Sequence, residues 1–482
     1  MNYRMMGRFL AHILAIEGLL MLPSLGISLW NGEMMAVRGF GVSILLILAI
    51  SSVLWWFCRH APSAFYAKEG LVCVGVCWIV MSLLGCLPFY ISREIPRYVD
   101  ALFEMVSGFS TTGSSILSDV EALSDGILFW RSFSHWIGGM GVLVFMLAFT
   151  GGKEQGYTMH LLRAESPGPA VGKLVPRMRK TAGILYLLYI AMTVFNIILL
   201  LLGDMSLLDA MCTAFGTAGT GGLGIRGDSM ASFSPYIQNV TTIFMALFGI
   251  NFSCYYLFLI GQWRSVVRDE ELRLYLILIF GSILLITINL GDFYPTLEET
   301  IRHAAFQVST IITTTGYGTT DFDLWPAFSK SILVCLMMVG ACAGSTGGGL
   351  KLARLLLLCK SLGRNIRQTV NPRKVMVVRN NGQVVDEKIL RNADAYFVAY
   401  VMIIFISYVI VSLDNFSFGT NFTAVIACFN NIGPGLEQVG PTCNFAAYSD
   451  LSKLVLSFDM LAGRLEIFPI LALLSPTVWK NK

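Results

Sequence analysis

Long apolar segments alternate with short polar ones along the whole chain, and this alternation is the strongest pattern in the sequence. Ten segments each hold about 20 predominantly apolar residues, the length that crosses the hydrocarbon core of a bilayer as a helix. They are residues 9–30, 37–57, 71–91, 127–150, 181–203, 236–262, 273–291, 328–361, 393–413 and 451–476. The pattern predicts an all-α polytopic membrane protein.

A second kind of apolar segment follows the third, fifth, seventh and ninth spans. Each holds only about a dozen apolar residues, too few to cross the bilayer, and each ends in a glycine-rich stretch. These stretches are Ser110–Ser115, Thr217–Gly222, Thr313–Thr319 and Asn430–Gly435. A short helix that enters the membrane and returns as irregular chain is tolerated only where the return is buried in protein or lines a water-filled path. The pattern therefore predicts four pore loops.

The four pore loops recur about every 100 residues, the length of a helix, a pore loop, a second helix and a linker. One such unit cannot surround an axis, whereas four can. We therefore predict two leading helices plus four helix–pore-loop–helix repeats in a pseudo-four-fold pore. The predicted boundaries are 1–68 for the leading segment and 69–155, 176–264, 270–362 and 390–480 for the repeats.

The pore loops carry chemistry suited to a monovalent cation. Each short helix would direct its C-terminal end, with about half a negative charge, towards the middle of the protein. The glycine-rich stretches offer backbone carbonyls and threonine hydroxyls but contain no Asp or Glu. Neutral oxygens of this kind favour potassium, whereas a divalent pore more often carries a ring of carboxylates. The competing interpretation is that the stretches are four tight packing turns.

Composition and charge agree with a membrane transporter. The 482 residues are 55% hydrophobic and 13% charged, about half the charged fraction of a soluble domain. Most of the 34 Lys and Arg residues lie on one side of the predicted spans, which predicts that side, with both termini, to be cytoplasmic. This basic face suits anionic membrane lipid or a cytoplasmic protein partner, and we expect no nucleic acid partner.

Other function classes find little support. The 11 cysteines form no CxxC motif and the 5 histidines form no HExxH motif. No cluster of ionisable residues indicates a polytopic membrane enzyme or a sensor. The stretch Gly344–Lys351 does not match a phosphate-binding loop, because Leu350 precedes the lysine and no Ser or Thr follows it. We expect no enzymatic activity and no cofactor in this chain.

Five motifs together resemble the Trk/Ktr/HKT superfamily of potassium transporters, and most closely its bacterial TrkH-type branch. They are Ser107–Gly113, His135–Gly141, Thr313–Gly318, Gly344–Lys351 and Asn430–Gly435. The resemblance covers nearly the whole chain and includes the two leading helices. It implies potassium as the transported ion, a homodimer, and a location in the bacterial inner membrane.

The resemblance implies one filter glycine in each repeat. The second loop offers both Gly221 and Gly222, and we take Gly221 first. The implied filter residues are Thr111, Thr112, Gly113, Thr220, Gly221, Gly222, Thr315, Gly316, Tyr317, Asn431, Ile432 and Gly433. Potassium would lie at the carbonyls of Thr112, Gly113, Thr220, Gly221, Thr315, Gly316, Ile432 and Gly433. Glycine rather than serine in the first loop favours potassium over sodium within the superfamily.

The resemblance also implies a gate below the filter, in the interrupted span at residues 340–350. The implied gating residues are Gly344, Gly347, Gly348, Gly349, Lys351 and Arg464. Arg464 would act as a positive barrier in the pathway. The alternative is a structural salt bridge for this arginine, with Asp459 and Glu466 as nearby acids, while Glu466 could instead pair with Lys351.

We therefore predict potassium uptake through a filter-containing, channel-like pore. By resemblance, a cytoplasmic nucleotide-binding regulatory subunit of the TrkA type would dock on the basic face and open it. The alternative is a proton- or sodium-coupled potassium symporter. The sequence shows no buried chain of acids and histidines to relay protons, which favours channel-like conduction.

Overall fold

Helices make up nearly all the regular structure of the protein in the computed structural model, which describes residues 1–61, 67–141 and 178–479. The leading and first-repeat helices are α1 (Tyr3–Leu20), α2 (Leu22–Trp30), α3 (Met34–Cys58), α4 (Ala67–Gly85), α5 (Leu87–Ile91), α6 (Tyr98–Phe109) and α7 (Asp125–Gly139). The second-repeat helices are α8 (Met178–Leu201), α9 (Leu207–Gly219), α10 (Pro235–Phe248), α11 (Phe252–Leu259) and α12 (Trp263–Arg268).

The third repeat contains α13 (Glu270–Leu290), α14 (Leu297–Ile312), α15 (Ala327–Val339) and α16 (Leu352–Val370). An antiparallel hairpin of β1 (Arg379–Asn380) and β2 (Gln383–Val384) follows α16. The fourth repeat contains α17 (Glu387–Val411), α18 (Phe418–Phe429), α19 (Asp450–Arg464), α20 (Phe468–Leu474) and α21 (Pro476–Trp479). Short 3-10 turns lie at Gly291–Phe293, Phe322–Leu324, Ser412–Asp414 and Glu437–Val439.

Six described helical segments are long and apolar enough to cross a membrane, or seven if α10 and α11 count as one span bent by 88°. The six are Tyr3–Trp30, Met34–Cys58, Lys68–Ile91, Gly183–Leu201, Glu270–Phe293 and Glu387–Asp414. They expose apolar side chains, such as Phe280 and Ile288 of α13, as expected for contact with lipid. The predicted all-α membrane fold is confirmed.

The second helix of each repeat is not a continuous span, which was predicted for the third repeat, with its interruption at 340–350, but not for the other three. Helices α7, α10, α15 and α19 contain 15, 14, 13 and 15 residues. At 1.5 Å per residue each is only about 20 Å long, so it ends before it has crossed a core about 30 Å thick. Hydropathy continues past these ends, which explains why the sequence suggested unbroken spans. The predicted span 127–150 and the basic linker after it fall largely in 142–177, outside the described residues.

Residues with positive φ follow three of these helix ends. Gly141 has φ 78°, Gly340 has φ 73°, and Glu466 and Ile467 have φ 61° and 62°. A residue with positive φ cannot continue a right-handed α-helix, and residues other than glycine rarely adopt this conformation. In the second repeat the break is instead the bend between α10 and α11. Of these breaks, the sequence indicated only the one that begins at Gly340, through its glycine-rich stretch, because apolar composition alone does not report backbone conformation.

The four short helices α6, α9, α14 and α18 form a ring. Each packs against the second helix of its own repeat and against that of the preceding repeat. Thus α9 contacts α10 and α7, α14 contacts α15 and α10, and α18 contacts α19 and α15. Helix α6 contacts α7 and α19, so the fourth repeat closes the ring on the first. The leading helices lie outside the ring, with α1 on α3 and α4 and α2 on α7.

A buried ion pair crosses the closing contact between the fourth and first repeats. Lys453 Nζ of α19 lies 2.6 Å from Asp100 Oδ1 in the first turn of α6, and the lysine side chain is only 1% exposed. A second pair at the same contact joins Arg97 and Asp450, and both of those side chains are more than half exposed. Removing one partner of a buried pair is costly, because the other charge is left buried and uncompensated. Removing one partner of an exposed pair costs little.

We predict that Asp100→Ala destabilises the protein by about 3–5 kcal/mol, because it leaves the Lys453 ammonium buried without this partner. The matched control, Asp450→Ala, removes the exposed pair and should cost at most about 1 kcal/mol. Thermal unfolding of both purified variants in detergent measures the difference. Equal midpoints for the two variants would contradict the importance of the buried pair.

Candidate functional site

Each short helix of the ring ends in the same hydrogen-bonded turn. A residue in the left-handed conformation follows the helix: Thr111 (φ 56°), Thr220 (φ 54°), Thr314 (φ 60°) and Asn431 (φ 56°). The N–H of the next residue then donates to the carbonyl five residues earlier. These bonds are Thr112 to Ser107 (2.9 Å), Gly221 to Gly216 (2.9 Å), Thr315 to Thr310 (2.8 Å) and Ile432 to Ala427 (2.9 Å). This is the Schellman arrangement, which satisfies the last carbonyls of a helix.

The left-handed residues are unusual because none is glycine. A side chain in this conformation costs about 1–2 kcal/mol, and β-branched threonine is especially unfavourable. Two of the side chains make contacts that glycine could not make. The Thr314 hydroxyl accepts from Gly348 N at 2.6 Å, and Asn431 Nδ2 donates to Thr112 Oγ1 at 2.9 Å and to Met460 O at 2.8 Å.

In every repeat, a glycine with positive φ lies two residues after the left-handed residue. These glycines are Gly113 (φ 84°), Gly222 (φ 65°), Gly316 (φ 90°) and Gly433 (φ 99°). The backbone therefore aligns Gly222 with the other three glycines, whereas Gly221 was predicted first and Gly222 beside it. Gly221 instead corresponds to Thr112, Thr315 and Ile432. A run of consecutive glycines concealed this shift of one residue, because glycine fits both positions.

The four glycines pack around a closed ring of backbone carbonyls. A Cβ atom added at Gly113 would overlap the carbonyl oxygen of Gly221, one at Gly222 that of Thr315, and one at Gly316 that of Ile432. A Cβ atom at Gly433 would lie 3.0 Å from the Thr112 carbonyl oxygen. Each repeat thus contacts the next in chain order and the fourth contacts the first. Only a residue without a side chain permits this approach.

The predicted filter residue Tyr317 contributes its side chain to packing. Its ring is buried, and its hydroxyl donates to the Thr213 carbonyl of α9 at 3.1 Å. Gly216 of α9 leaves the room for this hydroxyl, because an added Cβ atom would overlap it. The tyrosine therefore fixes the third loop against the second repeat.

Sequence reasoning missed a buried ion pair behind the first pore loop. Arg131 Nε of α7 lies 2.6 Å from Glu104 Oε1 of α6, with side chains 2% and 0% exposed. Glu104 also accepts from Ile116 N at 3.0 Å, and Arg131 donates to the Gly224 carbonyl at 2.7 Å. The pair thus connects the chain beyond the first filter glycine with that beyond the second. The sequence offered one signal for this ion pair, a charged residue within each of two apolar segments.

The interrupted third-repeat span forms an irregular loop, residues 340–351, which we call the intramembrane loop. Gly348 N donates to the Thr314 hydroxyl, and a Cβ atom added at Gly347 would lie 3.0 Å from the Thr313 carbonyl oxygen. The loop folds back on itself, since a Cβ atom at Gly349 would lie 3.0 Å from Gly340 Cα. It therefore contacts the pore loops directly, on the side where the short helices end.

Two further predicted gating residues, Gly344 within this loop and Lys351 at its end, also make contacts. The Lys351 ammonium is 3% exposed and donates to the Gly347 carbonyl within the loop. Gly344 is exposed, and its carbonyl accepts from Phe252 N of α11 at 3.0 Å. The loop is thereby bonded to the broken span of the second repeat.

Arg464, the last residue of α19, joins three repeats. Its guanidinium donates to the Thr346 carbonyl of the intramembrane loop at 2.7 Å and to the Gly138 and Gly139 carbonyls of α7 at 2.6 Å each. The suggested pair of Glu466 with Lys351 is wrong, because Glu466 pairs with Arg354 of α16. That pair still joins the third and fourth repeats.

Acidic residues lie on the opposite side of the pore loops, in the segments that follow the third and fourth filter glycines. Glu437 N donates to Asp323 Oδ2 at 3.1 Å, which joins the two segments. Hydrogen bonds from the hydroxyls of Ser417 and Thr420 hold the pKa of the Glu437 carboxyl below its ordinary value. The group therefore remains an anion at neutral pH, and fixed negative charge raises the local concentration of cations.

Comparisons with known proteins agree on one family. The TrkH family, described as a cation transport protein, matches residues 39–480. The Trk system potassium uptake protein TrkH of Salmonella typhimurium is 34% identical over 497 residues, covering 100% of both chains. The Trk system potassium uptake protein TrkG of Escherichia coli is 29% identical, covering 97% of this chain and 96% of its own. The crystal structure of the potassium transporter TrkH from Vibrio parahaemolyticus superposes with a TM-score of 0.89 at 30% identity, covering 100% of both chains.

We predict that Gly222→Ala destabilises the protein by about 1–3 kcal/mol or more, because it strains a positive-φ residue and drives a methyl group into the Thr315 carbonyl. Gly227→Ala is the matched control, since an added Cβ atom there meets nothing within 4 Å. Thermal unfolding in detergent compares the two variants with the wild type. A Gly222→Ala variant as stable as Gly227→Ala would contradict the alignment of Gly222 with the other three glycines.

Proposed function

The chain belongs to the TrkH family of cation transport proteins, and from this premise we propose that it takes up potassium through the pore between its four repeats. The observation that carries the proposal is the closed ring in which each filter glycine packs on a carbonyl of the next repeat. Backbone carbonyls at close quarters can replace the hydration shell of a potassium ion. The names of its relatives, potassium uptake proteins, support the same ion.

In this proposal two layers of carbonyls bind the ion. One layer comes from the filter glycines Gly113, Gly222, Gly316 and Gly433. The other comes from the residues before them, Thr112, Gly221, Thr315 and Ile432. The C-terminal ends of α6, α9, α14 and α18 add partial negative charge that stabilises a cation and repels an anion. No carboxylate lies within the four glycine-rich stretches, which favours a monovalent over a divalent ion.

The intramembrane loop is the gate in this proposal. It lies directly against the ends of the pore loops, held there by Thr314 and Arg464. Its glycines, with positive φ at Gly340, Gly344 and Gly349, allow a second conformation at low cost. Displacing the loop would open the space between the filter and the broken ends of α7, α10, α15 and α19.

The face that carries the segment 262–269 and the hairpin β1–β2, which we call the linker face, is cytoplasmic in this proposal. Lys and Arg are concentrated there, as the positive-inside rule requires of an inner-membrane protein with both termini in the cytoplasm. The same positive charge suits anionic lipid and a nucleotide-binding regulatory subunit of the TrkA type. The functional unit is a homodimer.

The filter is tested by ion flux into proteoliposomes with potassium, rubidium and sodium in one preparation. The wild type should prefer potassium and rubidium, without following an imposed proton gradient. Gly113→Ser places a side chain against the Gly221 carbonyl, so we expect the potassium-to-sodium ratio to fall by about tenfold, a change of about 1.4 kcal/mol. Gly227→Ser, in open space, should keep the wild-type ratio. An unchanged ratio in Gly113→Ser would contradict the filter, and uptake that follows only protons would indicate a coupled symporter.

Two variants of Arg464 separate a hydrogen-bonded lock from an electrostatic barrier. Arg464→Ala removes both, and we expect basal rubidium flux to rise several-fold. Arg464→Lys keeps the charge but cannot donate in a fork to Thr346 and to α7 at once. If the hydrogen bonds close the gate, the lysine variant leaks like the alanine variant; if charge alone does, it conducts like the wild type. No rise in either variant would show that Arg464 serves only to stabilise the fold.

A further inference from the structure

Three consecutive acidic residues, Asp269, Glu270 and Glu271, stand at the start of α13 on the linker face. The Glu271 side chain turns inward and the residue is 8% exposed. Its Oε1 atom accepts from Ala343 N at 2.5 Å and from Ala353 N at 3.1 Å. These two N–H groups lie on either side of the glycine-rich part of the intramembrane loop. One carboxyl oxygen thus ties the loop at Ala343, and the start of α16 that follows it at Ala353, to a helix outside the loop.

The loop needs such acceptors and donors because it is irregular chain at membrane depth. Gly340, Gly344, Gly349 and Lys351 all have positive φ, so helical hydrogen bonds are not available to the segment. Buried backbone N–H groups without a partner are costly in a membrane. A carboxylate is a stronger acceptor than a carbonyl, by roughly twofold. Releasing the loop therefore requires that Glu271 lose these two bonds or move with them.

The same helix end is fixed to the hairpin β1–β2 through Asn381 at its turn. Asn381 Oδ1 accepts from Glu270 N at 2.9 Å, Asn381 N donates to Glu270 Oε1 at 3.0 Å, and Asn381 Nδ2 donates to Asp269 Oδ2 at 2.8 Å. Glu270 also pairs with Lys360 of α16. Asn381 and Glu270 are accessible, whereas Glu271 is buried, so the first turn of α13 connects an exposed hairpin to the loop under the filter.

We propose that Glu271 is a positioning residue that holds the intramembrane loop against the pore loops, and that the hairpin β1–β2 acts on it through Asn381, Asp269 and Glu270. A displacement of the hairpin withdraws the first turn of α13, and with it the oxygen that holds the loop. The inference rests on the proposed function only in taking this loop as the gate.

The chain carries its own reporter for the position of the loop. Cys342 lies within the loop and is 1% exposed, whereas Cys359 of α16 is exposed and Cys428 of α18 is buried. Thiol labelling of the purified full-length protein, read at each cysteine by mass spectrometry, therefore follows the loop against an internal exposed and an internal buried reference. The readout needs no transported ion and no partner.

Glu271→Ala leaves the N–H groups of Ala343 in the loop and of Ala353 at the start of α16 without their acceptor, and we expect Cys342 to be labelled about tenfold faster than in the wild type, the effect of about 1.4 kcal/mol. Glu271→Gln keeps a neutral acceptor of the same shape and should give a smaller increase. Arg364→Gln breaks an ion pair with Glu387 on the same face without touching α13, and should label at the wild-type rate. Unchanged Cys342 labelling in Glu271→Ala, with Cys359 and Cys428 at their wild-type rates, would overturn the role of Glu271.

Asn381→Ala tests the connection to the hairpin. Losing its two side-chain bonds, one accepted from Glu270 N and one donated to Asp269, should loosen the first turn of α13 and raise Cys342 labelling several-fold, while Cys428 stays protected. A wild-type rate in this variant would overturn the coupling through the hairpin. Rubidium flux measured on the same variants separates this inference from the proposed function. Faster labelling with no ion selectivity in the wild type contradicts the filter alone, and selective wild-type flux with unchanged labelling contradicts the role of Glu271 alone.

Discussion

The structure depends on one constraint: irregular backbone can lie inside a membrane only if other parts of the protein satisfy and cover it. The four pore loops meet this constraint by packing on each other. Each glycine of the set Gly113, Gly222, Gly316 and Gly433 leaves space for a carbonyl of the next repeat, and the Schellman turns satisfy the ends of the helices before them. Each loop therefore depends on its neighbour for the conformation of its glycine.

The same constraint explains why the repeats have diverged without losing the ring. The backbone geometry is shared, but the side chains around it differ from one repeat to the next. Arg131 supports the first and second loops, Tyr317 fixes the third against the second, and Asn431 replaces threonine in the fourth, where it bonds Thr112. A pore built from one chain can thus place a different stabilising contact at each of its four interfaces. The four repeats keep a common geometry only in the ring of backbone carbonyls around the four glycines.

Much of this arrangement could be predicted from the sequence, because it follows from composition and spacing. Apolar length and glycine-rich stretches predicted the membrane fold and located the four loops. The shift from Gly221 to Gly222 could not be predicted, since several glycines adjoin and only backbone conformation separates them. The breaks after α7, α10 and α19 were hidden because apolar residues continue past them, whereas the glycine-rich stretch after α15 revealed the break there. Contacts such as Glu104 with Arg131 join residues 27 apart, and nothing local indicates that they meet.

The helix breaks and the intramembrane loop are consequences of each other. Four helices that end beneath the filter leave carbonyls without partners in a region where water is scarce. Arg464 donates to the last carbonyls of α7, a favourable place for a cation because the C-terminal end of a helix is negative. Cys342 N of the loop donates to the Gly249 carbonyl just after α10. The proposed conduction pathway needs these groups displaced, whereas stability needs them bonded. Hydrogen bonds to Thr314, Arg464 and Glu271 suit the gate proposed for this loop, because such bonds can be exchanged for bonds to water.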